Sequence, residues 1–362
     1  MGIDGVVPTE VREGPDAIRA TLRDASGAAA DAAALLRDRG VERLFVIGNG
    51  TSYHSALAAS QLYAHRAGPR DPVVVALTAG QFRTYPPRLG PRDGVLGISA
   101  SGEFVDVVAV FRELAGTIPT IGIVHVPDSS LTTIADRIVQ SAGGPSNVPV
   151  MTKTFSATLV ATELTLIALL GDEASASLRN EVEAAAGDAT TAIAAAETEL
   201  DRIVDDLDRF EHVFVVGAGL AHVAALEAAL KLKEIALIHA EGGETWEMTS
   251  GAATMIGSDA IVVALNPAGP GHGATADLVR HAAGWGAATV EIAPLAAMTS
   301  SVLVPLPRTA AEDHAPLTAV PPVALAAYAL ARRRGIDPDR PDWIARYHSQ
   351  GLRHIVGVEE PA

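Results

Sequence analysis

Short apolar runs rich in Val, Ile and Leu recur along this chain, each followed by a longer Ala- and Leu-rich segment carrying charges at helical spacing. Arg43-Leu-Phe-Val-Ile-Gly48, Pro72-Val-Val-Val-Ala-Leu77, Gly94-Val-Leu-Gly-Ile-Ser99 and Thr120-Ile-Gly-Ile-Val-His-Val126 lack the alternation of a strand with one wet face. They predict strands covered on both sides, as in a parallel sheet. Ahead of them, Pro8 to Arg39 predicts an amphipathic surface helix with an early break at Gly14-Pro15. Met151 to Ser156 makes a polar approach to an apolar helix, Ala157 to Leu170, and the Ala-, Glu- and Asp-rich segment from Asp172 to Leu207 predicts a helical connector. The pattern then restarts. Glu211 to Gly217 predicts a strand and Ala221 to Leu237 a helix; further strands are expected at Asp259 to Leu265, Ala288 to Ile292 and Val302 to Leu306, and a last helix at Pro321 to Arg334.

Strands alternating with helices, twice over, predict an α/β chain of two doubly wound parallel-sheet domains in tandem, an internal duplication. The expected boundaries are an N-terminal helical arm over 1–40, a first domain over 41–175, a connector over 176–207 and a second domain with a C-terminal tail over 208–362.

Chemistry enters at the loops. Gly48 and Gly50 allow a tight turn from strand to helix, Thr51 and Ser52 place hydroxyls at the cap, and the first-turn N–H groups attract an anion; an ordinary capped βα turn would read the same. Ser99-Ala-Ser-Gly-Glu103 repeats this logic after the third strand, and two such loops at carboxyl ends of one sheet can converge on one ligand. Gly217-x-Gly219 lacks the third glycine of a dinucleotide fingerprint, so no nicotinamide or other cofactor is expected, and no His, Asp and Glu spacing suggests a metal site. The 362 residues, 48% apolar, suffice for two ordinary cores. A net charge of −16 without a basic cluster argues against nucleic-acid partners, and no apolar stretch approaches the ~20 residues that a membrane span requires, so no membrane is expected. With no cysteine and no visible signal peptide, the cytoplasm is the expected compartment.

Four stretches together carry a resemblance: Gly48-Asn-Gly-Thr-Ser-Tyr-His54, Ile98-Ser-Ala-Ser-Gly-Glu103, Thr152-Lys-Thr-Phe155 and Ala225-Leu-Glu-Ala-Ala-Leu-Lys-Leu-Lys-Glu-Ile-Ala-Leu-Ile-His-Ala-Glu241. In this order, over nearly the whole chain, they resemble the tandem sugar-isomerase (SIS) domain family. That family includes the isomerase half of glucosamine-6-phosphate synthase, aminosugar-phosphate deaminases and isomerases, and fructosamine-phosphate deglycases. The resemblance implies two flavodoxin-like domains, a homodimer and a small anionic sugar as ligand. It implies that Ser52, Ser99 and Ser101 bind phosphate, within loops that include Gly50, Thr51 and Ala100, and that Glu234 moves a proton between sugar C1 and C2. An enediol needs a base held between two carbons, and a partly desolvated carboxylate suits that role. Read without the resemblance, Glu234 is a solvated partner of Lys231 or Lys233.

The chain also departs from the family's pattern. Ala100 and Phe104 replace an amide and a hydroxyl of the phosphate loop; Ser250 stands where the ring-opening histidine is expected; Arg346 replaces a catalytic-site lysine and cannot carry a proton near neutral pH. His239 is a further catalytic candidate, while His54, His348 and His354 form no site pattern, and Glu244 and Glu247 flank Trp246 as lining or solvated residues. Two function classes follow: an isomerase, deaminase or deglycase of a phosphorylated or sulfonated sugar, or a sugar-phosphate-binding regulator of the same fold without catalysis.

Overall fold

The computed structural model describes residues 3–148, 150–294 and 300–340. The chain divides into two compact units. One holds Asp16–Pro145 and Thr154–Glu183; the other holds the residues up to Pro15 together with Ser146–Lys153 and Ala184–Arg340.

The first unit is built on the sheet β2-β1-β3-β4-β5, all parallel, from β1 (Arg43–Gly48), β2 (Val73–Thr78), β3 (Asp93–Ile98), β4 (Thr120–Val124) and β5 (Arg137–Gln140). Most of α1 (Val6–Asp38) belongs to it, with α2 (Thr51–Arg66), α3 (Ala79–Thr84), α4 (Val105–Leu114), α5 (Ser130–Ile134) and α6 (Lys153–Ile167). β1 and β4 are buried almost end to end because helices cover both faces, which is why their sequence reads as unbroken apolar runs. Phe45, Ile47, Val95, Val107 and Phe111 form the cluster between the sheet and one helical layer.

After α7 (Asp172–Arg209), the second unit repeats the arrangement as β10-β9-β8-β6-β7, again all parallel. Its elements are β6 (His212–Gly217), α8 (Ala221–Ala236), β7 (Ala240–Glu244), α9 (Thr245–Thr249), β8 (Ala260–Leu265), α10 (His272–Gly284), β9 (Ala288–Ala293), β10 (Val302–Pro305), α11 (Ala315–Thr318) and α12 (Val320–Arg333). Two doubly wound domains in tandem are thus the architecture.

Two expectations need correction. The break at Gly14-Pro15 is absent: α1 runs through Pro15. Buried Val7, Val11, Ile18, Leu22, Ala25 and Ala29 keep helical spacing on both sides, so packing outweighs the one hydrogen bond that the proline forfeits. The absence of membrane-length apolar segments also fails on composition. Lys153–Leu170 and Glu312–Arg333 are long and apolar enough, but 89% and 94% of the residues in their most apolar windows are buried inside the fold. Three of the threonines of α6 are satisfied along the helix itself: Thr158 donates to the Thr154 carbonyl, and Thr162 and Thr165 each donate to the carbonyl four residues back at 2.8 Å.

Candidate functional site

In an open parallel sheet, ligands gather where neighbouring strands send their crossovers to opposite sides. In the first unit that point lies between β1 and β3, paired in register with Ile47 opposite Gly97. The loops leaving these two strands are the two Ser/Gly loops. Gly48 is needed because a Cβ there would lie 2.7 Å from the Ser52 carbonyl carbon. Gly50, at φ 53° and ψ −128°, adopts a conformation that L side chains avoid, and gives α2 no side-chain cap. The Ser52 hydroxyl, on a residue 8% exposed, has no hydrogen-bond partner among the described residues.

On the second loop, the Ser99 hydroxyl accepts from the Phe104 amide at 3.3 Å and that of Ser101 from the Glu103 amide at 3.2 Å. A hydroxyl that accepts in this way still has its proton to donate. Ala100, half-buried, holds the loop to the next one through its carbonyl, which accepts from His125 and Val126 amides at 2.9 and 3.0 Å. The Glu103 carboxylate is used elsewhere: it accepts from the Ser130 amide and hydroxyl at 2.6 and 2.7 Å, anchoring the start of α5. Phe104 packs its ring on the unit's apolar cluster, so it removes a hydroxyl from the loop by turning inward.

Sequence reasoning missed a brace at this point. Asn49 donates to Asp106 at 3.3 Å, and Arg83 donates to the other oxygen of Asp106 at 2.8 Å. The signal for it was Asp106 in the first turn of α4, where a carboxylate complements the helix end.

Glu234, His239 and Ser250 lie in the second unit. Glu227, Lys231 and Glu234 are one turn apart along α8, and the Lys231 ammonium bridges both carboxylates, at 3.1 Å from Glu227 and 2.5 Å from Glu234. Glu227 and Lys231 are fully buried, whereas the Glu234 side chain is 37% exposed. Burial by itself pushes the Lys231 ammonium towards neutrality, but Glu227 and then Glu234 outweigh it and hold its pKa above the ordinary lysine value. Lys231 therefore remains a cation and holds one oxygen of the partly exposed Glu234 carboxylate. Of Lys231 and Lys233, the two partners that local spacing offers Glu234, the structure selects Lys231, with Lys233 exposed.

α8 ends on Leu237 at φ 55°, a left-handed position usual for glycine, and exposed His239 follows before β7. Ser250, also exposed, closes α9 and donates to the Trp246 carbonyl at 3.2 Å. Glu244 is a helix cap, accepting from the Trp246 and Glu247 amides at 2.7 and 3.0 Å, and Glu247 is exposed. Thr152 and Lys153 anchor their segment to α1, Thr152 donating to Glu10 at 3.3 Å and Lys153 to Glu13 at 2.7 Å. His54 lies within α2. Arg346, His348 and His354 lie outside the described residues.

Comparison with known proteins adds the following. The SIS-domain family model matches residues 36–168 and again 207–332. The chain is 32% identical over 354 residues to a glutamine–fructose-6-phosphate aminotransferase (isomerizing) of Gloeobacter violaceus, covering 93% of this chain and 57% of that protein. It thus spans little more than half the length of the curated relatives it matches. Among solved structures, the C-terminal domain of glucosamine-fructose-6-phosphate aminotransferase from Francisella tularensis superposes with a TM-score of 0.82 at 22% identity, covering 94% of this chain and 99% of that one. Glucosamine-6-phosphate deaminase from Thermotoga maritima does so with a TM-score of 0.70 at 21% identity, covering 91% and 97%.

Proposed function

Because the chain belongs to the SIS-domain family and carries the domain twice, we propose that it acts on a phosphorylated or otherwise anionic sugar or aminosugar. In this reading Glu234 takes a proton from one carbon beside the carbonyl, the electrons pass into an enediol or enolamine, and the same carboxyl returns the proton to the neighbouring carbon. Isomerisation and deamination share that proton transfer; in deamination it leaves an imine, which adds water and expels ammonia to give the ketose. The observation that carries the reading is the α8 bridge, in which a buried ammonium grips one oxygen of a half-exposed carboxylate and so positions a base of the kind the proton transfer needs. The anion falls to Ser52, Ser99 and Ser101, whose hydroxyl protons are available at one switch point. The names of the relatives, an isomerizing aminotransferase and a deaminase of sugar phosphates, support the substrate class.

A second reading, a sugar-phosphate-binding regulator without turnover, is favoured by Ser250, an exposed hydroxyl bonded to a backbone carbonyl where the family resemblance implies a histidine. One experiment separates the two. The protein is incubated in deuterated water with hexose phosphates, aminosugar phosphates and sulfonated sugars. Solvent deuterium at C2 supports turnover, with ammonia release marking a deaminase; a ligand-induced thermal shift without exchange supports the regulator.

A further inference from the structure

The second sheet repeats the switch point of the first with its chemistry exchanged. It lies between β6 and β8, and Gly217-x-Gly219 reproduces Gly48-x-Gly50. A Cβ on Gly217 would lie 2.4 Å from the Ala221 carbonyl oxygen, as one on Gly48 would lie 2.8 Å from that of Ser52, and Gly219 at φ 55° matches Gly50 at φ 53°. The neighbouring loops also start alike: the Ser99 backbone amide donates to the Ile123 carbonyl at 3.0 Å, and the Asn266 backbone amide to that of Ile292 at 2.9 Å. The hydroxyls are gone, however, since Leu220 and Ala221 stand where the first loop has Thr51 and Ser52.

A carboxylate has come in their place. Glu312, 8% exposed, accepts from the Leu220 amide at 3.3 Å and the Gly271 amide at 2.9 Å, so one side chain joins the loops after β6 and β8. Glycines clear its position: a Cβ would lie 1.8 Å from a Glu312 oxygen at Gly219, 2.5 Å at Gly269 and 3.1 Å at Gly271. Its backbone is pinned there, the Glu312 amide donating to the Ala268 carbonyl at 2.8 Å. The two amides use different oxygens of the carboxylate, and a neutral amide side chain in its place would offer a single accepting oxygen. Burying a carboxylate is unfavourable unless its surroundings favour negative charge, as the amides opening a helix do.

We propose that Glu312 is the built-in ligand of a second oxyanion site: the fold keeps anion-binding geometry at this switch point, and the chain's own carboxylate occupies it in place of a free phosphate, sulfate or carboxylate. The phosphate group of a phosphosugar is thereby left the first-sheet loops alone, a consequence that rests on the proposed function; the self-occupied site does not.

The test compares the wild-type chain and Glu312→Ala, each also carrying Ser99→Ala and Ser101→Ala to silence the first sheet. Inorganic phosphate is the probe, with chloride at equal ionic strength as control. Phosphate is expected to raise the Tm of the Glu312→Ala form by several degrees and to slow hydrogen exchange at Leu220 and Gly271, while leaving the Glu312 form unmoved. No phosphate-specific shift and no added protection at those amides overturns the proposal. Should Glu312→Ala not fold, Glu312→Gln keeps the volume and one accepting oxygen. The Leu220 and Gly271 amides are then expected to exchange ~10-fold faster than in wild type, and equal protection overturns the proposal. Phosphate binding to the chain with its serines intact is read separately, so failure of the first-sheet site is told apart from failure of this one.

Discussion

Replacing Lys231 by Met keeps its length and volume but deletes the ammonium that bridges Glu227 and Glu234. Because the swap conserves volume, packing alone accounts for less than ~1.5 kcal/mol. The larger loss comes from Glu227, fully buried and 3.1 Å from the missing charge: a buried carboxylate stripped of its cation costs ~3 to 5 kcal/mol. The Glu234 side, 37% exposed, adds no more than ~1 kcal/mol because water screens it. Lys231→Met should therefore destabilise the protein by ~3 to 5 kcal/mol, about 6 to 20 °C in Tm for a unit of this size. Urea and thermal melts followed by circular dichroism give both quantities. Adding Glu227→Gln removes the stranded charge, so the double variant should recover all but ~1 to 2 kcal/mol. The penalty should also shrink as the pH falls towards 4 and the stranded carboxyl takes up a proton. A single variant that loses less than ~1 kcal/mol, or a double variant less stable than the single, refutes the reasoning.

Ser99→Ala and Ser101→Ala should each weaken binding of an anionic sugar by ~1 to 3 kcal/mol by calorimetry, while a neutral sugar that binds as tightly as its phosphate counterpart excludes an anion site. Arg43, through a two-bonded grip at 2.8 Å, holds the Asp93 carboxyl below the usual aspartate range. With the folded pKa depressed, that stabilisation is present above the unfolded value of ~3.9 and is lost as the pH falls through the folded pKa. Asp93→Asn should thus lower stability at pH 7, by an amount limited because water screens the 41%-exposed Arg43 side chain, and flatten the acid limb of a stability profile below ~4; an unchanged acid limb counts against the assignment. Ser250→His should raise turnover of a ring-closed phosphosugar ~10-fold or more if ring opening is what Ser250 lacks, measured against an open-chain keto substrate whose rate should not change.

The parts of the fold legible in the sequence were those whose residues declare their own environment. β1, β3, β4, β6 and β8 are apolar on both faces, and the helices after them are Ala-rich and regular, so both domains and the restart at Glu211 followed from the pattern. β5 and β7 are edge strands, and an edge needs little from its sequence. Ala240-Glu-Gly-Gly-Glu244 contains no β-branched residue and is a strand through pairing with β6, its Gly242 lying where a Cβ would come within 2.8 Å of α8 backbone. Pro15 misled because a local breaker was weighed without the apolar spacing on either side of it. At the candidate site, glycine and serine loops were readable from turn chemistry. Lys231 and Glu227 were not, because their burial depends on how α8 packs, and Glu312 is linked to Leu220 across 92 residues, a pairing that no local pattern encodes.

The central claim, that Glu234 carries the substrate proton, is tested most directly by comparing Glu234→Gln with the wild type for exchange of the C2 hydrogen into solvent, using the phosphosugar that gives the largest ligand-induced thermal shift. The substitution keeps shape and the contact with Lys231 but removes the base. The account predicts that exchange falls by ~10²-fold or more while the thermal shift is retained. Exchange at the wild-type rate in Glu234→Gln would contradict it.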